Sequence, residues 1–234
     1  MIKIIYPYRF SQWNELKYSI RSIEKHFKNP YQIWIMGDVP SYLNRNKLIN
    51  IQTYNKNFKQ INKCRLFDLS QMLQEDEEFI WMNDDIYLTN DITIDTLRIP
   101  RYLENLNGIK NRGKRAWHIK LWKTADFLSN LGYTIYNFEC HIPTLYKVSN
   151  LIRTFERFQE LDVWTMNTAY YNYNKCIDNL ELVDKDKLGI YKNNENISYD
   201  LKNYLFLNHN DNGLSLNLKN TIRNTFPKKS NLEI

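Results

Sequence analysis

Two adjacent carboxylates, Asp84 and Asp85, close a strongly apolar run in Phe79-Ile-Trp-Met-Asn-Asp-Asp-Ile-Tyr-Leu88. A strand this apolar belongs in a core. Its last residues then reach the rim of a sheet, where ionised groups are costly unless paired or metal-bound. A hard divalent cation, Mn²⁺ or Mg²⁺, satisfies such a pair. It can also bridge the phosphates of a nucleotide diphosphate and stabilise charge on the leaving group. The structural alternative is a turn in which Asp84 or Asp85 caps the next segment. Neither common glycine-rich phosphate loop is present in a chain with only 6 Gly, so phosphate contacts must come from side chains, a metal or a helix N-terminus. Asn62, Lys63 and Arg65 open the helix before the acidic strand and suit a pyrophosphate, the alternative being two solvent-facing cations. His141, in Glu139-Cys-His-Ile-Pro143, stands near a carboxylate. It can act as a general acid or base near neutral pH, or be a satisfied structural histidine. His209, in Leu207-Asn-His-Asn-Asp-Asn-Gly213, can complete a metal site or be only a loop residue. Trp117 and Trp122, near Arg115, His118 and Lys120, offer a mixed aromatic and basic acceptor surface.

Periodicity predicts the elements that position these groups. Ile2–Tyr6 reads as a buried strand punctuated by Pro7. Asn14–Lys25 reads as a helix, because Leu16, Ile20, Ile23 and Phe27 recur on one face. Gln32–Met36 and Leu48–Gln52 read as strands, Asn62–Leu73 as a second amphipathic helix, and Glu78–Met82 as a short apolar strand. On that second helix Cys64, Leu66 or Phe67, Leu69, and Met72 or Leu73 are expected to face inward. Strand, helix, strand, strand, helix, strand implies an α/β fold with a mostly parallel sheet flanked by helices. Ligands of such sheets bind beyond the carboxyl ends of the strands. Those ends carry Pro7-Tyr8-Arg9, Gly37-Asp38 and Asn83-Asp84-Asp85, and their convergence on one edge defines a candidate site. In the second half, Val148–Glu160, Asp162–Tyr173 and Asn217–Asn224 read as helices and Leu180–Val183 and Tyr204–Leu207 as strands. Lys185–Tyr199 reads as a polar loop able to close over the site. One domain over residues 1–234 is expected, with an elaborated C-terminal part.

Composition bounds the function. The 234 residues are 43% hydrophobic and 15% aromatic, enough for a packed core rather than a disordered chain. The 3 Cys, with no CxxC spacing, exclude a disulfide scaffold and a cysteine-based zinc site and fit a reducing compartment. The net charge of +6 permits weak association with anionic surfaces, including nucleotides, nucleic acids and lipids, without selecting one. The basic stretches Lys110–Arg115 and Pro227–Lys229 contribute to it. The start of the chain lacks a signal-peptide pattern and no run reaches the ~18 apolar residues of a spanning helix, so a cytoplasmic protein is expected. The single Asn-x-Ser match, Asn196-Ile-Ser198, is expected by chance in a chain with 31 Asn.

Four blocks extend this reading. Arg9-Phe-Ser-Gln-Trp-Asn-Glu-Leu-Lys-Tyr-Ser-Ile-Arg-Ser-Ile23 resembles the segment after the first strand of Stealth-type sugar-phosphate transferases, and Met82-Asn-Asp-Asp85 resembles their acidic strand end. His141-Ile-Pro143 and Phe226-Pro-Lys-Lys-Ser-Asn-Leu-Glu233 resemble later blocks, in the same order. The resemblance implies the GT-A nucleotide-sugar fold, with a nucleotide-sugar-binding half (1–100) and acceptor-side and C-terminal elements (101–234), a nucleotide-sugar donor and a divalent metal. It implies Asp85 as metal ligand, with His209 as a partner, and Asn83 or Asp84 on the ribose or donor sugar. Tyr8, Arg9 and Asp38 would line the nucleoside pocket, and Lys63 and Arg65 would neutralise the diphosphate. Asp84, Glu139 and His141 are the candidates for catalysis or acceptor positioning. Tyr6-Pro7-Tyr8-Arg9 lacks the acidic residue that Stealth proteins carry after their first strand. Metal-dependent transfer of a sugar to a saccharide, lipid-linked, protein or modified-DNA acceptor is therefore expected first, and hexose-1-phosphate transfer second. A basic nucleic-acid-binding module on the same fold is the alternative of a different class, and steep salt dependence would distinguish it.

Overall fold

The computed structural model describes residues 1–11, 13–52, 61–109, 113–193 and 198–234. Parts of the Lys110–Arg115 stretch, of Asn196-Ile-Ser198 and of the segment 185–199 lie outside the described residues; that segment is expected as a loop from the sequence, but Lys187–Ile190 form a strand paired with Phe206–His209. In chain order the elements are β1 (Ile2–Tyr8), α1 (Glu15–His26), β2 (Tyr31–Gly37), β3 (Ile49–Ile51), α2 (Ile61–Met72), β4 (Glu78–Trp81), β5 (Ile86–Leu88) and α3 (Ile94–Arg98). There follow β6 (Arg101–Tyr102), β7 (Glu104–Asn105), α4 (Ala116–Asn130), β8 (Tyr136–Asn137), β9 (Thr144–Lys147), α5 (Val148–Phe158) and α6 (Met166–Tyr173). The last are β10 (Glu181–Leu182), β11 (Lys187–Ile190), β12 (Phe206–His209) and α7 (Leu216–Thr225).

The central sheet has the order β3-β2-β1-β4-β9. Its first four strands are parallel and β9 runs antiparallel to β4. Alternation along β1 sorts the two faces. Ile4, Tyr6 and Tyr8 pack with Leu16, Ile20 and Ile23 of α1. Ile5 packs with Leu66 and Leu69 of α2 and Leu151 of α5. Each large side chain buried this way contributes roughly 1.5–3 kcal/mol. On α2 the alternatives resolve in favour of Leu66 and Leu73, because Phe67 and Met72 are exposed.

Pro7 lies inside β1 instead of ending it. Ile5 O accepts from Met82 N, so the polar groups of alternate residues Lys3, Ile5 and Pro7 point towards β4. β4 ends at Trp81, and Pro7 withholds an N–H that no strand is there to receive. Trp122 is a correction to the expected acceptor surface. It lies on α4 at 6% exposure among Leu121, Leu128 and Trp164, whereas Trp117, one turn earlier, remains exposed. A second sheet, β11-β12-β5, packs against α7 through Tyr87, Leu207, Leu218 and Ile222.

Candidate functional site

The carboxyl end of β4 is fixed by neighbours on both sides. Asn83-Asp84-Asp85 forms the turn into β5, with Ile86 N donating to Asn83 O at 3.3 Å. Two small hydroxyls of α1 hold β5. Ser19 Oγ donates to Ile86 O at 2.6 Å, and Ser22 Oγ accepts from Leu88 N at 2.9 Å. From the other side Asn208 Nδ2 donates to Asp85 O at 3.2 Å. The acidic turn is thus tied through its backbone to α1 and to β12.

His141 reaches this turn from the loop before β9. Its backbone has φ of 52°, a left-handed conformation that is uncommon for a residue with a Cβ and recurs at functional sites. Its Nε2 lies 3.2 Å from Asn83 Nδ2 and 3.1 Å from Asp85 Oδ1. A protonated Nε2 donates to Asp85, and an unprotonated one accepts from Asn83. The ring is partly exposed, so it can exchange protons with a ligand. Lys187 Nζ on β11 donates to Cys140 O at 2.5 Å and braces the loop that carries the ring.

The electrostatics are those of a site short of positive charge. Burial, then the neighbouring Asp85 and Glu15, push the Asp84 carboxyl up to about 7. Burial also raises Glu15, which accepts a hydrogen bond from Ser11 Oγ and feels Asp85 and Asp211. Sequence reasoning missed Glu15, since an acid in the first turn of a helix is already explained by the helix dipole. The signal was its place at the start of the helix that follows the carboxyl end of β1, the edge on which the other acids converge. Among the described residues no three His, Cys, Asp or Glu gather into an all-protein metal cage. Mg²⁺ or Mn²⁺ commonly takes one or two carboxylates and completes its shell with water and substrate phosphates. Hard oxygens with an unmet demand for positive charge fit that role.

Other expected residues divide into two groups. At the ends of β1 and β2, Tyr8 is buried, Arg9 exposed, and Asp38 Oδ2 accepts from Phe10 N at 3.1 Å. Gly37 has φ of 126°, and a Cβ there would stand 2.2 Å from Tyr8 O and 2.9 Å from an Arg65 guanidinium nitrogen. The positive φ and the close approach of the Tyr8 carbonyl require glycine here, and Arg65 lies across the same edge near Asp38. Arg65 Nε is buried and unpaired among the described residues. Lys63 does not join Arg65. Two positions apart on α2, the side chains diverge, and the Lys63 ammonium sits 4.5 Å from the ring centre of Trp164. Asn62 and Lys63 instead line a pocket of about 200 Å³ with Asn83, Trp117, Glu139 and His141.

Glu139 is largely engaged in structure. Its Oε1 accepts from Thr168 N at 2.9 Å, in the first turn of α6, whose own N-cap Thr165 makes no side-chain cap. Burial raises its carboxyl and the helix-end hydrogen bond opposes that. His209 is buried at 2% exposure, with Nε2 3.1 Å from Tyr87 OH and its ring stacked on Tyr87. Burial lowers its affinity for a proton. Its backbone N–H, rather than its ring, is what meets Asp85, donating to Asp85 O at 3.4 Å.

A parallel sheet ending in an acidic turn, backed by a second small sheet, defines the GT-A class of fold. The galactosyltransferase LgtC, solved with donor and acceptor sugar analogues, superposes with a TM-score of 0.52 over 98% of both chains at 8% identity. An LgtC variant altered in its active site gives 0.51 over the same shares, also at 8% identity. These likenesses establish the fold. In sequence, 94 residues are 31% identical to the human N-acetylglucosamine-1-phosphotransferase subunits alpha/beta, covering 36% of this chain and 8% of that protein. The chain thus spans less than a tenth of the curated relative it matches. No described protein family matches the chain. Among the described residues no helix is long and apolar enough to cross a membrane.

Proposed function

We propose that the chain is a metal-dependent glycosyltransferase that moves a sugar from a nucleotide diphosphate sugar to an acceptor hydroxyl. The observation that carries this reading is His141 set between Asn83 and Asp85 at the carboxyl end of β4. The GT-A fold supports it. Tyr8, Arg9 and Asp38 face the nucleoside, and the exposed ring of Phe10 beside Asp38 supplies a stacking surface. Arg65 meets the diphosphate across Gly37. Asp85 holds Mn²⁺ or Mg²⁺, with Asp84 and Glu15 adding negative charge around it. When bound, the cation neutralises the charge that develops on the leaving diphosphate. Asn83 orients the donor, and His141 aligns the acceptor or takes its proton. Glu139 shapes the acceptor pocket by fixing the start of α6. In the transfer, a bond forms between acceptor oxygen and the sugar's anomeric carbon. The bond from that carbon to the phosphate oxygen breaks, and the acceptor proton leaves.

A second reading is favoured by the phosphotransferase similarity. There the acceptor oxygen bonds to the β-phosphorus, the phosphoanhydride breaks, and a nucleoside monophosphate departs. Product identity separates the two, because glycosyl transfer releases the diphosphate. The test is the melting temperature against a panel of nucleotide sugars, each with and without Mn²⁺, followed by product analysis with the donor that binds. A donor present at a hundred times its Kd adds about 2.7 kcal/mol. The shift is expected only with metal and is expected to vanish in Asp85→Ala. A metal-dependent shift of full size in that variant would overturn the assignment of Asp85. No shift with any donor, joined to salt-sensitive binding of DNA or RNA, would replace the reading with that of a nucleic-acid-binding module.

A further inference from the structure

We propose that Asn167 binds the acceptor, and that the pocket it lines takes one uncharged sugar ring oriented by the Asn167 amide. This rests on the transferase reading and names a further binding residue with the chemistry it selects. The pocket of about 200 Å³ beside His141 is also lined by Trp81, Thr144, Tyr146 and Asn167. In the order β3-β2-β1-β4-β9, the strands β4 and β9 that carry the first three lie to one side of β1. Tyr8 and Asp38 lie at the ends of β1 and β2. The β4–β9 side is the one left for the acceptor once the nucleoside lies over β1 and β2. The volume falls below the ~300–1,000 Å³ of pockets for drug-sized ligands, so it suits a single ring.

Asn167, in the first turn of α6, is held at two points. Its backbone N–H joins that of Thr168 on the Glu139 carboxylate. Its Oδ1 accepts from the Tyr146 hydroxyl. Tyr146 is buried, burial keeps its proton in place, and that proton has no other acceptor among the described residues. The amide oxygen is therefore the atom turned to Tyr146. The amide nitrogen keeps two N–H donors that no described residue receives, on a half-buried side chain at the pocket wall. The charged groups around it are engaged. Glu139 caps α6, His141 meets Asp85, and Lys63 lies over Trp164 with Asp162 acting on it. What the pocket leaves unmet is a neutral donor, which suits a hydroxyl or ring oxygen and selects no charge. The exposed Trp117 at the same pocket gives the ring an apolar surface to lie on. One hydroxyl of that ring then reaches His141 while another oxygen accepts from Asn167.

The experiment is a ligand-observed NMR titration of the full chain with methyl hexopyranosides and their single-deoxy analogues. No donor is present, so the result does not depend on turnover. Removing the oxygen that meets Asn167 is expected to weaken binding to the parent about tenfold. Asn167→Asp keeps an acceptor for Tyr146 and loses the N–H donors, so there the same removal is expected to cost less than about twofold. A purely structural role would weaken every analogue alike and leave that cost unchanged, which overturns the proposal. Tyr146→Phe frees the amide to turn and carries the test if Asn167→Asp fails to fold. It is expected to weaken the intact ring roughly threefold and the deoxy analogue hardly at all; equal losses overturn the proposal. Hexoside binding is expected to persist when a nucleotide sugar and Mn²⁺ saturate the protein, and displacement would assign the pocket to the donor sugar instead. Binding of no hexoside also overturns the proposal, while a metal-dependent thermal shift with a nucleotide sugar would leave the transferase reading standing. Hexoside binding coupled to Asn167, without any nucleotide-sugar binding, would uphold this site and overturn the transferase reading.

Discussion

Asp84 pits stability against readiness to bind a cation. Its folded proton affinity lies above that of a free carboxyl, which titrates at about 4. The folded state then holds this proton when the unfolded state has lost it, so the group's contribution to stability falls as pH rises from about 4 to about 7. In metal-free protein, Asp84→Asn is expected to stabilise by roughly 2 kcal/mol at pH 8 and by little at pH 4. Melting curves at both pH values check this, and a variant less stable at pH 8 would contradict it. The residues of the acidic turn were legible in the sequence because a carboxylate pair after an apolar strand has few satisfactory structural explanations. Lys63 and Arg65 were legible as cations but not as members of different sites. Their separation depends on Gly37 and Trp164, which are distant in sequence and visible only once the elements pack. His209 had a metal ligand's chemistry, but its ring is placed with Nε2 at Tyr87 OH and Nδ1 at the Asn210 carbonyl.

At the level of elements, β1 and α1 followed from periodicity because α1 is strongly one-sided, whereas α2 carries the apolar Phe67 and Met72 on its exposed side. Leu16, Ile20 and Ile23 are buried on one face of α1, and Phe27 is buried just beyond its end. The middle was harder. β5 to β8 are two or three residues long, too short for alternation to register. α4 begins with the exposed Trp117 and Ile119, which blur its apolar face. Loop contacts also carry element-level energy that no periodicity encodes, and Glu139 is the clearest case. Glu139→Ala is expected to destabilise by about 1–2 kcal/mol through loss of the α6 end, while Glu139→Gln keeps an acceptor oxygen and costs less. If Glu139 were instead a catalytic base, Gln would abolish turnover while leaving the melting temperature nearly unchanged. Measuring both quantities on both variants decides between these roles.

Across the whole molecule, the first and last blocks of the chain are clasped together away from the acidic turn. Arg21 on α1 donates Nε to Glu233 Oε1 at 2.6 Å and Nη2 to Oε2 at 2.9 Å. Its Nη1 donates to Phe226 O and Pro227 O at 3.0 and 3.2 Å. Both side chains are almost fully buried, at 8% and 2% exposure. The blocks at Arg9–Ile23 and Phe226–Glu233 thus meet in space, which gives their joint presence a structural reason independent of catalysis. Breaking one half of a buried, bidentate pair leaves the other charge unmet, so Arg21→Ala is expected to cost about 3 kcal/mol. In a chain of this size that corresponds to roughly 6–12 °C. The pH dependence has the opposite sign to that of Asp84. Burial alone would raise Glu233, but the Arg21 hydrogen bonds, the Ser230 N–H and the charges of Arg21 and Lys17 together outweigh it and hold the carboxyl below its ordinary value. Its stabilisation is complete above the ordinary value of about 4.3 and disappears as pH falls through the lower folded value. Glu233→Gln should therefore melt below the parent at pH 7 and converge with it towards pH 3. A gap that stayed constant with pH would mean that the clasp works through packing and neutral hydrogen bonds instead of charge.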